Sequence, residues 1–247
     1  MTILCYHAVE PGWISPLAIT PPDFAAHCAW LARHREVIAL SDALTLLDRG
    51  GRLPRGVVAL TFDDGFASVF EHALPVLKRH RLPASIFVVA ETLTPSGRAV
   101  DWVDTPPSYV LKTLNLEQLL ELRDAGFGIG SHSYSHRDLT TLDDQECVHD
   151  LTASREVLED LLHRPVPYLA YPRGRHNEMV RHAAQQAGYS HSLSLPESRE
   201  RHEAHAVPRV GIHQGNGLST IRLKTHPWYL PLRTSRIYRR SLAFFGQ

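Results

Sequence analysis

Short runs of β-branched or apolar residues alternate along the chain with segments whose apolar positions recur at helical spacing. This alternation predicts an α/β fold with parallel strands. The clearest runs are Ile3-Leu4-Cys5-Tyr6, Val57 to Phe62, Gly128 to Ser131 and Tyr168 to Tyr171. Thr20 ahead of Pro21, Pro22 and Asp23 reads as a helix start, with Phe24, Cys28 and Leu31 on one apolar face. Asn115 and Gln118 make a capping-box pattern ahead of Leu116, Leu119 and Leu120. Val148, Leu151, Leu158 and Leu162 mark an amphipathic helix over roughly 143 to 162. Pro75 falls within helical spacing between Phe70 and Leu77 and predicts an interruption there. From Glu91 to Asn115, Pro95, Gly97, Pro106 and Pro107 predict a long loop, a kind of segment that often carries function.

Each of these apolar runs leads directly into reactive groups. His7 comes after the first, Asp63-Asp64-Gly65 after the second, His132 after the third and Pro172-Arg173-Gly174 after the fourth. In parallel α/β architectures the carboxyl ends of the strands share one face, so groups distant in sequence converge there. Two adjacent carboxylates raise each other's pKa unless a cation or proton compensates them, so Asp63-Asp64 invites a metal. His132 and His136 stand four residues apart, a spacing that puts both on one side of a helical turn. With one carboxylate they make a two-His, one-carboxylate set suited to zinc or another borderline divalent ion, with positions left open for water and substrate. Each half alone has a plain reading, because the chain holds 16 histidines and Asp-Asp-Gly also suits a helix-capping turn. The His-x-x-x-His segment lacks the Glu of the His-Glu-x-x-His peptidase motif.

Composition narrows the picture. At 247 residues and 43% hydrophobic, with no linker tract or repeat, the chain reads as one continuous domain able to bury a sizeable core. Lys+Arg and Asp+Glu number 26 each, which removes the global electrostatic signature of a nucleic-acid binder. Cys5, Cys28 and Cys147, odd in number and far apart, read as reduced, packed thiols. The first residues lack a secretory signal pattern, and no stretch approaches a membrane span, so the expectation is a cytoplasmic protein, at the inner membrane surface if its tail docks there. That tail, 226–247, holds Trp228, Tyr229, Tyr238, Phe244 and Phe245 among Arg233, Arg236, Arg239 and Arg240. It admits two readings, packing against the body of the protein or peripheral contact with an anionic membrane.

Thr61-Phe62-Asp63-Asp64-Gly65 together with Ser131-His132-Ser133-x-x-His136 resembles the first two motifs of the polysaccharide deacetylase family, the NodB-like domain of carbohydrate esterase family four. The resemblance extends over roughly residues 3 to 212 and includes Leu74-Pro75-Val76-Leu77 and Pro83-Ala84-Ser85-Ile86-Phe87-Val88. It implies a distorted (β/α) barrel of about seven parallel strands with outer helices, assigned to residues 1–225 as the catalytic domain. It further implies a divalent metal, zinc foremost, held by Asp64, His132 and His136, with Asp63 as the base that activates water. The implied reaction is removal of an N-acetyl group from an N-acetylhexosamine unit of a glycan, lipid-linked glycan or glycolipid precursor.

The chain departs from the family in two places. No C-terminal Leu-x-His motif is present, and Leu4-Cys5-Tyr6-His7 instead resembles the poly-N-acetylglucosamine deacetylase branch, which implies His7 as general acid. His213 is the rival, and a strand-end histidine that only satisfies backbone groups is the plain alternative. The third motif appears as Ala170-Tyr171-Pro172-Arg173-Gly174, so the arginine that braces the base is missing. Arg209 is the candidate replacement, with a surface role as the equal alternative, and the backbone N–H of Arg173 falls where the oxyanion donor belongs. Asp101-Trp102 reads either as a sugar-stacking platform or as a buried loop anchor. Two other functions stay open: a deformylase or other amide hydrolase on the same fold, and a catalytically silent carbohydrate-binding protein.

Overall fold

The computed structural model describes residues 2–95, 97–196 and 203–235. In chain order its strands are β1 (Ile3–Tyr6), β2 (Ala8–Val9), β3 (Ala18–Ile19), β4 (Glu36–Val37), β5 (Val57–Phe62) and β6 (Ser85–Val88). They continue as β7 (Gly128–Ser131), β8 (Tyr168–Ala170), β9 (His191–Ser194), β10 (Val207–Pro208) and β11 (Val210–Gly211). The helices are α1 (Pro21–His34), α2 (Leu40–Gly50), α3 (Leu74–His80), α4 (Leu116–Asp124), α5 (Asp144–Leu162), α6 (Glu178–Gln186), α7 (Leu218–Lys224) and α8 (Tyr229–Arg233).

Eight strands follow one hydrogen-bonded order, β10-β9-β8-β7-β6-β5-β1-β11, with β4 paired to β5 off that path. The pairings along this path are parallel. The two ends of the order are neighbours in sequence: β10 pairs with β9, β11 pairs with β1, and only Arg209 lies between them. One short segment therefore joins both edges of the sheet and brings it close to closure as a distorted (β/α) barrel. Taking β10 and β11 as one run gives the seven strands expected from the sequence.

Registered pairs show how the barrel is filled. Ile3 pairs with Ala59, Cys5 with Thr61, Thr61 with Ser85, Phe87 with Gly130, and Leu193 with both Ala170 and Val207. Paired residues on parallel strands share a face, and these positions point inward. Leu40, Ala43, Leu44 and Leu47 of α2 join Ile3, Ala59, Phe87, Leu193 and Val207 in one cluster, so α2 plugs the barrel's amino-terminal end. The alternate positions, Leu4, Tyr6, Leu60, Phe62, Ile86 and Ile129, pack outward into the main core with Phe24 and Leu31 of α1, Leu74 and Leu77 of α3, Leu119 of α4 and Leu158 of α5. Leu230 of α8, 8% exposed, joins that core with Tyr229 packed against it. Trp228 is 46% exposed. The rest of the basic aromatic tail, including Arg236, Tyr238, Arg239, Arg240, Phe244 and Phe245, lies outside the described residues. Among the described residues no helix is long and apolar enough to cross a membrane.

Local chemistry sets the element ends. Thr20 caps α1 through Asp23, and capping boxes open α4 at Asn115/Gln118 and α5 at Asp143/Glu146. Ahead of Pro75 the helix widens into one π-turn over Val69–Ala73, where the Leu74 N–H reaches back to Val69. A proline ring collides with the carbonyl four residues before it, and the wider turn relieves that collision.

Gly130 on β7 leaves the space that the Phe87 ring occupies, and a Cβ there would also lie 3.0 Å from the Tyr168 carbonyl oxygen. Gly130→Ala should therefore lower stability by about 1–3 kcal/mol. Urea unfolding should show a lower midpoint with an unchanged slope.

Candidate active site

At the carboxyl ends of the strands a cleft of about 280 Å³ opens. His7, Asp63, Asp64, His132, His136, Arg173 and His213 all line it. β5 leads directly into Asp63 and Asp64, and Asp64 adopts a left-handed conformation (φ 67°) that turns the chain sharply. Both carboxyls are buried, at 1% and 2% exposure.

The Nε2 atoms of His132 and His136 approach one oxygen of Asp64 at 3.6 and 3.2 Å. The Nδ1 of His132 lies 2.7 Å from the Ala170 carbonyl, a contact that requires the proton on Nδ1 and leaves the Nε2 lone pair toward Asp64. Burial above all pushes the His132 imidazole down to about 4, against the pull of Asp63. An uncharged imidazole lone pair facing a carboxylate is unfavourable without a cation between them. The His136 Nδ1 is likewise buried without a partner among the described residues. Ligand atoms of Asp64, His132 and His136 lie within 4.8 Å of one another, and this donor set fits a divalent cation.

The histidine spacing works differently from the sequence expectation. Residues 132–136 form no helical turn. Ser133 and His136 take left-handed conformations (φ 67° and 56°) in an irregular loop. Side chains replace helical hydrogen bonds: the Ser133 N–H donates to the Ser131 hydroxyl and the His136 N–H to the Ser133 hydroxyl. Asp150 of α5 accepts from the Tyr134 N–H at 2.8 Å and the Ser135 hydroxyl at 2.9 Å.

Arg209 lies against Asp63. Its two terminal nitrogens donate to the two Asp63 oxygens at 2.6 and 2.7 Å, and Nη1 also reaches the Thr61 hydroxyl. Arg209 is 1% exposed, with its guanidinium 5.6 Å from the Phe87 ring centre. Burial opposes ionisation of Asp63, but Arg209 outweighs it and holds the carboxyl well below the usual range. Cys5, read from sequence as packing alone, donates its thiol to the second Asp63 oxygen at 3.3 Å.

Trp102 is a buried anchor rather than a free platform. It is 8% exposed, its indole N–H donates to Asp64 at 3.1 Å, and its ring stacks on His136 at 4.9 Å. Arg98 ties the same loop down by donating to the Ser135 carbonyl and pairing with Asp101. Arg173 sits at φ 58°, and among the described residues its backbone N–H has no partner. His7 is 9% exposed and among the described residues its Nδ1 has no partner, whereas the Nδ1 of His213 meets the Pro16 carbonyl at 3.2 Å.

A barrel that gathers its titratable groups at the carboxyl ends of its strands has the layout of a barrel enzyme, with the chemistry carried on strand-end loops. Comparison with known proteins narrows that class. Residues 50–192 match the family model described as polysaccharide deacetylase, and the chain belongs to that family. It is 26% identical over 218 residues to a Bacillus subtilis protein named "Putative polysaccharide deacetylase YxkH", covering 87% of this chain and 72% of that one. It is 23% identical over 209 residues to the poly-beta-1,6-N-acetyl-D-glucosamine N-deacetylase of Staphylococcus epidermidis, covering 80% and 68%. Among solved structures, Streptococcus pyogenes deacetylase PplD in complex with acetate superposes with a TM-score of 0.77 at 22% identity, over 92% of this chain and 98% of that one, a likeness of fold.

Arg209→Met should leave Asp63 buried and unpaired, costing about 3–5 kcal/mol at pH 7. In the native protein the depressed Asp63 pKa contributes stability that is present above about pH 4 and lost as pH falls below it. Without Arg209, burial dominates and raises that pKa, so the variant's deficit should shrink on acidification from pH 7 to 5. Urea unfolding of the chelator-treated proteins at both pH values checks this.

Proposed function

We propose that this protein is a metal-dependent carbohydrate N-deacetylase, which removes acetyl from an N-acetylhexosamine unit of a glycan or glycolipid precursor. The observation that carries the reading is the convergence of Asp64, His132 and His136 beside a carboxylate locked by arginine, at the floor of one cleft. The name of the Staphylococcus epidermidis relative supports the choice of an N-acetylglucosamine-type amide. A divalent cation held by Asp64, His132 and His136, most simply zinc given two imidazoles and one carboxylate, supplies Lewis acidity to water and to the acetyl carbonyl.

The chain's own residues do the rest. Asp63 accepts the proton of the attacking water, and Arg209 keeps it ionised and fixed in orientation. The Arg173 backbone N–H donates to the oxyanion of the tetrahedral intermediate. His7 protonates the departing amine. His213 is the weaker candidate for that step, because burial and then the Lys224 charge push it down to about 4, leaving it uncharged near neutrality.

Metal uptake, acetate release and point variants test the reading. Purified protein should bind one equivalent of divalent metal and release acetate from N-acetylglucosamine oligomers. Asp63→Asn should lower kcat by about 100-fold or more, and His7→Ala by a comparable factor with little change in KM. No metal at stoichiometric level would end the proposal, and turnover only on formylated sugars or cyclic amides would replace the acetyl assignment. Trp102→Phe keeps the ring on His136 but removes the N–H from Asp64, and should weaken metal binding about 10–100-fold in a chelator competition.

A further inference from the structure

We infer that Cys5, His7 and Asp63 form a second cation site, separate from Asp64, His132 and His136 and selective for thiophilic ions. One ligand atom from each of the three lies within 4.8 Å of the others, and all three residues are buried. Cys5 lies in β1 and His7, two residues on, just past its end, and Asp63 continues the neighbouring β5 through its N–H bond to the Tyr6 carbonyl. The backbone register thus fixes the set.

The dimensions suit an ion. Cys5 Sγ and Asp63 Oδ2 are 3.3 Å apart. A tetrahedral centre with metal–sulfur near 2.3 Å and metal–oxygen near 2.0–2.2 Å spans about 3.5 Å between those ligands. The thiol proton now stands where the cation would. Arg209 takes one lone pair on each Asp63 oxygen, and a carboxylate has about four such sites, so one remains on each oxygen, and the one on Oδ2 faces the Cys5 sulfur. An independent pointer is His7, 9% exposed, whose Nδ1 has no partner among the described residues. His7 and Asp63 both line the cleft, which gives an ion its entry.

A thiolate, imidazole and carboxylate together favour zinc, cobalt or cadmium over magnesium, calcium or manganese. As the sulfur–metal bond forms, the Cys5 proton leaves to solvent. The Arg209 charge and an ion at Asp64 both oppose a further cation, so this site fills second and more weakly. Its occupation would tie up Asp63 and His7 together and inhibit turnover. That consequence rests on the proposed function, while the site itself does not.

The test is a cobalt titration of the full-length protein after metal removal. The first equivalent should give no thiolate-to-cobalt charge-transfer band, and further cobalt should bring that near-ultraviolet band in. Cys5→Ser should lose the band yet still take up the first equivalent, which reports an intact fold, whereas Cys28→Ser and Cys147→Ser keep it. His132→Ala should retain the band, so failure at the first site reads separately. Zinc beyond one equivalent should suppress acetate release, with Cys5→Ser needing about tenfold more zinc or greater for the same loss. Absence of the band in the wild type under excess cobalt, or its survival in Cys5→Ser, overturns the site.

Discussion

The fold is organised around one buried ion pair. Arg209 and Asp63 are each 1% exposed, at the closing end of a barrel whose interior is otherwise mostly apolar or hydroxyl-bearing. Two charges so placed are tolerable only with near-ideal geometry, and the bidentate contact at 2.6 and 2.7 Å supplies it. The pair also joins the barrel's seam. Arg209 is the single residue between β10 and β11, its N–H donates to Ser194 of β9, and its side chain crosses to the end of β5. Phe87 lies under the guanidinium, and Gly130 gives Phe87 its room, so the smallness of β7 and the ionisation of Asp63 are linked through packing.

The face that gathers Asp64, His132 and His136 depends on two loops that brace each other. The segment after β7 is held from below by Asp150 and by the Ser131–Ser154 contact at 2.6 Å. From above, the loop before α4 contributes Trp102 to Asp64 and His136, and Arg98 to the Ser135 carbonyl. Neither loop is helix or strand across these residues, so side-chain bonds, together with backbone bonds from His132 to Val88, Ala90 to Ser133 and Glu91 to Tyr134, fix where the imidazoles stand.

Much of this is legible in the sequence. β1, β5 and β7 stand where continuous apolar runs predict strands, because strands covered on both faces need not alternate. The start of α5 follows from its capping box. β9 reads His-Ser-Leu-Ser and carries no apolar run, and β10 and β11 are two residues each, so tertiary pairing alone makes them strands. Sequence leaves Arg209 open between a brace and a surface residue because register, not spacing, brings it to Asp63. Cys5 escapes a sequence reading for the same reason, although the two-residue step from Cys5 to His7 is a usable signal once β1 is assigned. The histidine pair is recognisable as a unit, but the helical turn expected of it does not form, since serines at 131 and 133 satisfy the backbone N–H groups that a helix would have used.

The Arg209 contact sets a tension at the centre of the site. It fixes Asp63 in one orientation and keeps it charged, yet the same charge makes the carboxylate a weaker proton acceptor. In the proposed reaction, a base so weakened would take a proton only from a water that is itself strongly polarised. The donor set of Asp64, His132 and His136, beside Asp63 in the same cleft, is where such polarisation would come from. A lone carboxylate at this strand end would be a stronger base but, buried and unpaired, would sit protonated near neutrality. Charge and position at Asp63 are therefore secured together at the expense of basicity, and neighbouring groups must make up the difference.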